Sequence, residues 1–162
     1  MNFHAPISAL ALLLLCQAAL ACATFDIETP QEMVAMEHSD DEYVAMTYDG
    51  VVLRVNVYSQ GESSRDTPRA SQQFWVESTR ERMRTTGGYA LLHEEQITSA
   101  NDYEGTRLEF GRDQDGVPYK YWVILFVTED HIHVIDVGGR QDRFDNAGEA
   151  IHRALASYEV IK

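Results

Sequence analysis

Cysteine is almost missing from this sequence of 162 residues. The two present, Cys16 and Cys22, both fall in its opening apolar stretch. A mature domain that keeps at most Cys22 closes no internal disulfide and holds no thiol nucleophile inside its fold. Positive charge is short as well: 13 Lys and Arg stand against 26 Asp and Glu, a formal net charge of −13. Phosphate backbones and anionic headgroups repel such a surface, which argues against nucleic acid and against membrane contact through a basic patch. Motifs for nucleophiles and phosphates are absent too. No serine stands in a G-x-S-x-G setting, and Ser63-Ser64 lies in a polar loop. No glycine-rich loop follows a strand; Gly87-Gly88 and Gly138-Gly139 close elements instead. There is no internal repeat and no motif for a cofactor.

What is present begins with an export signal. Ile7 to Leu15 (ISALALLLL) is an apolar core too short to span a bilayer, and small residues follow from Ala18 to Ala23. Its flank is atypical, because Met1 to Pro6 carries His4 but no Lys or Arg. Two cleavage patterns overlap. Ala19-Leu20-Ala21-Cys22 resembles a bacterial lipobox, with Ala19 where Leu is usual and Cys22 as the residue that takes the lipid. Cys16 does not fit, since Leu13 to Leu15 precede it. Ala21-Cys22-Ala23 also has the A-x-A form cut by ordinary signal peptidase, with Thr24 as the first mature residue. The lipobox is the preferred reading, because a cysteine at the end of the apolar core has no other evident use. The chain thus divides into a signal segment, 1–23, and one domain, 24–162. The domain is expected in the periplasm or cell envelope, anchored through Cys22.

The domain reads as α+β. Thr24 to Thr29 alternates and ends at Pro30, a short opening strand, and Met33 to Glu37 is another. Tyr43 to Tyr48, Asp49-Gly50 and Val51 to Tyr58 predict a hairpin, with Asp-Gly supplying the positive φ angles of a two-residue turn. A polar loop leads to Thr67-Pro68, a cap followed by proline at the first helical position. The helix is expected from Pro68 to about Thr86, stopping at Gly87-Gly88, with Phe74, Trp75, Thr79 and Met83 buried. Arg80, Arg82 and Arg84 fall in its later turns, where cations complement the helix dipole.

Four strands follow: Tyr89 to Ile97, Thr106 to Arg112, Tyr119 to Thr128 and His131 to Val137. Their short connections predict antiparallel neighbours. The third is apolar on both faces: Val123, Leu125 and Val127 alternate with Trp122, Ile124 and Phe126. Such a strand must be covered on both sides and lies inside the sheet. A closing helix from about Asp142 to Tyr158 presents Phe144, Ala147, Ile151, Leu155 and Tyr158 on one face.

This order of elements resembles the PsbP-like fold, which includes the photosystem PsbP subunits, the Mog-type Ran-binding proteins and the DcrB-type bacterial envelope lipoproteins. The resemblance is carried by TPRASQQFW at the helix entry, GGYALLHEEQI, GTRLEF, YKYWVILFV and HIHVIDVGG. It covers most of 24–162. It implies a twisted antiparallel sheet with helices packed on it and an accessory or binding role, and it supplies no catalytic residues.

Candidate chemistry is sparse. His131-x-His133 places two imidazoles on one strand face, with His93 on another strand as a third metal ligand if the strands are neighbours. Ile135 and Val137 continue the same face, so a packed role competes with a metal. Asp113 to Gly116 resembles a calcium loop, but the ligand positions would fall at Gly111 and Trp122, so it is a hairpin turn. Tyr103, Tyr119, Tyr121 and Trp122 either line a ligand cleft or pack a sheet core, the latter being the commoner use. The expected function is a non-catalytic accessory or protein-interaction module of the bacterial envelope, partnered by another envelope protein. A small metal-dependent or hydrolytic enzyme built on His93, His131 and His133 is the alternative.

Overall fold

The computed structural model describes residues 23–62 and 69–161. In chain order the elements are β1 (Phe25–Asp26), β2 (Met33–His38), β3 (Glu42–Thr47), β4 (Val52–Ser59), α1 (Gln72–Thr85), β5 (Ala90–Thr98) and β6 (Glu104–Gln114). They continue with β7 (Val117–Val127), β8 (His131–Arg140), α2 (Gln141–Asn146), α3 (Gly148–Ser157) and β9 (Glu159–Val160). Seven strands form one antiparallel sheet in the order β2-β3-β4-β8-β7-β6-β5, and β1 pairs separately with β9. The α+β architecture predicted from the sequence is the one observed. Residues 1–22, with Cys22 among them, and the Thr67-Pro68 helix entry lie outside the described residues.

Period-two alternation builds a layer on each side of the sheet. On one face, Ile124 and Phe126 of β7 join Leu53, Val55, Ile135 and Val137 beneath Phe144 of α2 and Ala150, Ile151 and Ala154 of α3. On the other, Val123 and Leu125 of the same strand join Leu108 and Phe110 of β6 beneath Val76 of α1. Strand β7 is therefore interior and covered on both sides. Burying each such side chain contributes about 1.5–3 kcal/mol. Helix α1 packs on β5, β6 and β7. Its flank forms an inner corner with the floor of β8 and β4.

Several local expectations are corrected. The β3–β4 hairpin turns through three residues, Tyr48 to Gly50, not two. Thr47 N donates to Val51 O at 2.9 Å and Gly50 N to Thr47 O at 3.1 Å, and within the loop Gly50 alone has positive φ, 91°. The Thr47 hydroxyl stabilises this form by donating to Asp49 at 2.6 Å and accepting from Val51 N at 2.9 Å. The two-residue turn is Asp115-Gly116, with φ of 54° and 78° between Gln114 and Val117, so β6 and β7 run on into a segment expected as loop.

Helix α1 is capped by Ser71, whose hydroxyl accepts from Phe74 N at 3.2 Å. Phe74 is 53% exposed, not buried. It stands two residues, about 200° around the helix, from Val76, which with Thr79 faces the sheet. The closing helix is two helices, broken at Ala147, whose ψ of −1° departs from the regular α-helical value of about −42°. Tyr158 ends α3 in an extended conformation and leads into β9, a strand the helical periodicity concealed. Its partner β1 is shorter than the strand predicted there.

Candidate functional site

The corner between α1 and the sheet holds a cleft of about 1050 Å³. The same alternation that builds the core supplies its floor. Arg54, Asn56 and Tyr58 of β4, Ile132, Val134 and Asp136 of β8, and Tyr121 and Leu125 of β7 all point to the α1 side. The wall comes from Trp75, Ser78, Thr79 and Arg82, one stripe of the helix at three- and four-residue spacing.

Asp136 is the charged centre. Its side chain is 16% exposed, and it accepts a short hydrogen bond from the Tyr121 hydroxyl. Arg54 lies directly opposite it in the β4–β8 register, with Nη1 3.8 Å from the carboxylate. Burial raises the Asp136 carboxyl above its usual range, while the Tyr121 hydrogen bond, Arg54 and Arg82 pull it back. Burial first, then the neighbouring Asp136, pushes the Tyr121 phenol far above its ordinary value, so it remains a donor. Arg69 is held elsewhere, by Glu129 at 3.1 Å and Asp130 at 3.0 Å. Arg82 makes no ion pair among the described residues, whereas Arg80 pairs with Glu94 and Arg84 with Glu81. The arginine cluster noted in the sequence thus divides, and one member turns to the cleft. Trp75 Nε1 is buried without a hydrogen-bond partner among the described residues.

The candidate metal ligands are not brought together. His93 stands on edge strand β5, 57% exposed at its side chain, with Nε2 3.6 Å from Glu95. Strands β6 and β7 separate it from β8, about 14 Å across the sheet. His131 and His133 are neighbours, ring centroids 6.3 Å apart, on the face opposite the cleft. His133 is fully buried, and its Nδ1 shares a 2.8 Å hydrogen bond with the Tyr158 hydroxyl. Burial, with a smaller contribution from His131, lowers its pKa to about 4. Tyr158 is itself stacked between Phe25 and Phe126, with centroids 5.9 and 5.6 Å away. Among the described residues no three His, Cys, Asp or Glu side chains are grouped to hold a metal.

Of the aromatic set, Tyr121 lines the cleft. Trp122 points to the opposite face, packed on Phe144 at 5.0 Å and covered by Arg107 at 4.4 Å. Arg107 there joins Glu95 at 2.6 Å and Glu109 at 2.8 Å in a surface network. Sequence reading missed Asp136 and Arg54. A signal existed: Asp136 is the one acidic residue inside the apolar run IHVIDVGG.

No family model matches the chain, and no curated protein matches it in sequence. Solved structures do match in fold. One is LpqN of Mycobacterium tuberculosis, involved in cell envelope biogenesis, at TM-score 0.62 and 9% identity over 85% of this chain and 83% of that one. Another is the cyanobacterial PsbP (CyanoP) of Synechocystis, at TM-score 0.54 and 12% identity over 88% of this chain and 95% of that one. With the seven-stranded antiparallel sheet and its flanking helices, these likenesses show that the chain adopts the PsbP-like fold.

Proposed function

We propose that the protein is a non-catalytic accessory module of the bacterial envelope and that it works by binding, with the α1–sheet cleft as its binding face. The observation that carries this reading is the cleft itself. It is concave and sets an apolar patch of Trp75, Leu125, Ile132 and Val134 beside convergent polar groups, Arg54, Arg82 and Asp136 among them, features of a ligand site. Its carboxylate is engaged by a phenol and a guanidinium, which suits a fixed polar end of a binding cleft. The likeness to LpqN supports an envelope setting. Export, lipid anchoring at Cys22 and an envelope protein as partner complete the proposal, resting on the apolar leader and Ala19-Leu20-Ala21-Cys22. Separation of His93 from His131 and His133 weighs against the metal-dependent or hydrolytic alternative.

Cell fractionation tests the setting. Wild type is expected in the membrane fraction and Cys22→Ser in the soluble periplasm; a soluble wild type beginning at Thr24 would contradict the anchor. Complementation of a deletion strain tests the binding face. Ser78→Trp, which fills the cleft from the helix side, should remove the biological role while the protein stays folded.

A further inference from the structure

The two ends of the cleft differ, and the difference specifies a ligand. Strand β8 runs along the floor from Ile132 through Val134 to Asp136, about 13 Å of extended chain. Towards the Ile132 end there is an apolar patch, with Leu125 opposite Val134 in the β7–β8 register and Trp75 in the first turn of α1, and Ser59, Gln60, Glu62 and Arg69 also line the cleft there. At the Asp136 end Arg54 faces the carboxylate across the β4–β8 pair. Arg82 acts on the same carboxylate from α1, seven residues and about 10 Å beyond Trp75. The helix and the strand therefore change character at the same end.

Charge at that end does not cancel. One carboxylate, already accepting from Tyr121, meets two guanidiniums. Arg54 is nearly half exposed at 3.8 Å from Asp136, and Arg82 makes no ion pair among the described residues. Glu62, the other acidic group of the lining among the described residues, belongs to the far end. It stands beside Arg69, whose Nε donates to Gly61 O at 3.4 Å and whose guanidinium reaches Glu129 and Asp130 at the β7–β8 turn. Among the described residues a surplus positive charge is left beside an apolar patch, in a protein whose formal net charge is −13.

We propose that the cleft binds an anionic amphiphile. Arg54 and Arg82 hold its carboxylate or phosphate head, and its apolar body lies along Leu125, Ile132, Val134 and Trp75. Guanidinium suits both heads, because its planar fork donates two parallel hydrogen bonds to a carboxylate or a phosphate. Burial of the tail adds roughly 25 cal/mol for each Å² of apolar surface removed from water. Neither part suffices alone: inorganic phosphate lacks the tail, and a neutral detergent lacks the head. The proposal rests on the cleft being the binding face and adds the class of ligand.

Calorimetric titration of the purified full chain tests it, using dodecanoate and dodecyl phosphate below their micelle concentrations. Dodecyl maltoside, dodecyltrimethylammonium and inorganic phosphate are the comparisons. Saturable one-to-one binding is expected with at least one of the two anionic amphiphiles, and which of them binds identifies the head. The neutral and cationic amphiphiles should bind at least tenfold more weakly, and inorganic phosphate not measurably. Arg82→Gln, on an exposed helix position, and Arg54→Gln should each weaken binding at least tenfold. These variants keep the apolar leader, so they separate the cleft from any binding by that segment. Equal binding of dodecyl maltoside, or no change in either arginine variant, would overturn the proposal. So would absence of binding by both anions. If both anions fail while Ser78→Trp still removes the biological role, the ligand class is wrong and the binding face stands. If Ser78→Trp keeps that role, the binding face is wrong as well.

Discussion

Gly138 leaves the space that the ring of Tyr121 occupies. The two are cross-strand partners in the β7–β8 register, and a β-carbon at 138 would collide with Cδ2 and Cε2 of that ring. Because the ring lies across the bare backbone, its hydroxyl reaches Asp136, two residues along β8. A glycine that reads as an element end in the sequence is thus a positioning device for the polar end of the cleft.

The first prediction follows from that contact. Glycine inside a strand normally costs stability, and replacing it with alanine normally restores some. Here Gly138→Ala is expected to destabilise by about 1–3 kcal/mol through overpacking. Urea denaturation decides the sign, and a stabilised variant would contradict the placement of Tyr121.

Tyr121→Phe removes the donor and leaves the Asp136 carboxylate in place. The expected loss of stability near neutral pH is about 1–3 kcal/mol, the cost of an unsatisfied buried acceptor. The Asp136 carboxyl should also rise further, since the hydrogen bond now holds it down. NMR titration of the Asp136 side chain reads that shift directly; an unmoved titration would deny the bond.

His133 makes stability depend on pH with a definite sign. Its pKa is lowered from 6.5 to about 4 in the folded state. The unfolded chain therefore binds the proton first as pH falls. The contribution of the neutral imidazole is whole above pH 6.5, declines between 6.5 and 4, and is gone below that range, a loss of about 3 kcal/mol. Unfolding midpoints of wild type should fall relative to His133→Phe across this interval. Parallel curves for the two proteins would mean that the imidazole is not buried neutral.

Gly50 carries the left-handed residue of the β3–β4 loop at φ 91°. Gly50→Val is expected to cost about 1 kcal/mol or more, since a β-branched residue is strained there. An unchanged melting temperature would count against the hairpin geometry.

How much of this was legible in the sequence depended on range. Alternation in YKYWVILFV and HIHVIDVGG announced interior strands, because each buried face repeats every second residue. The three-residue β3–β4 turn was less legible, since the Thr47 hydroxyl that stabilises it competes with the Asp49-Gly50 signal in the same segment. The break at Ala147 left no mark, as apolar spacing continues from Phe144 to Ile151 across it. The cleft was hidden for a different reason. Arg54 and Asp136 are 82 positions apart and meet only through the β4–β8 register, while Arg82 arrives on a helix from between them. Two-residue spacing drew attention to His131 and His133, yet the same alternation sent them to the packed face.

The most direct measurement of whether this protein works through its cleft compares two substitutions on one helix in a deletion strain. Ser78→Trp fills the cleft, and Phe74→Trp places the same ring outside the lining, at a position 53% exposed on α1. Combined His93→Ala, His131→Ala and His133→Ala serves as the catalytic control, with a stability loss of about 2–5 kcal/mol from truncating buried His133. Loss of the biological role in Ser78→Trp alone, with the role kept in Phe74→Trp and in the histidine variant, is the predicted result. A functional Ser78→Trp, or a stable histidine variant that has lost its role, would contradict it.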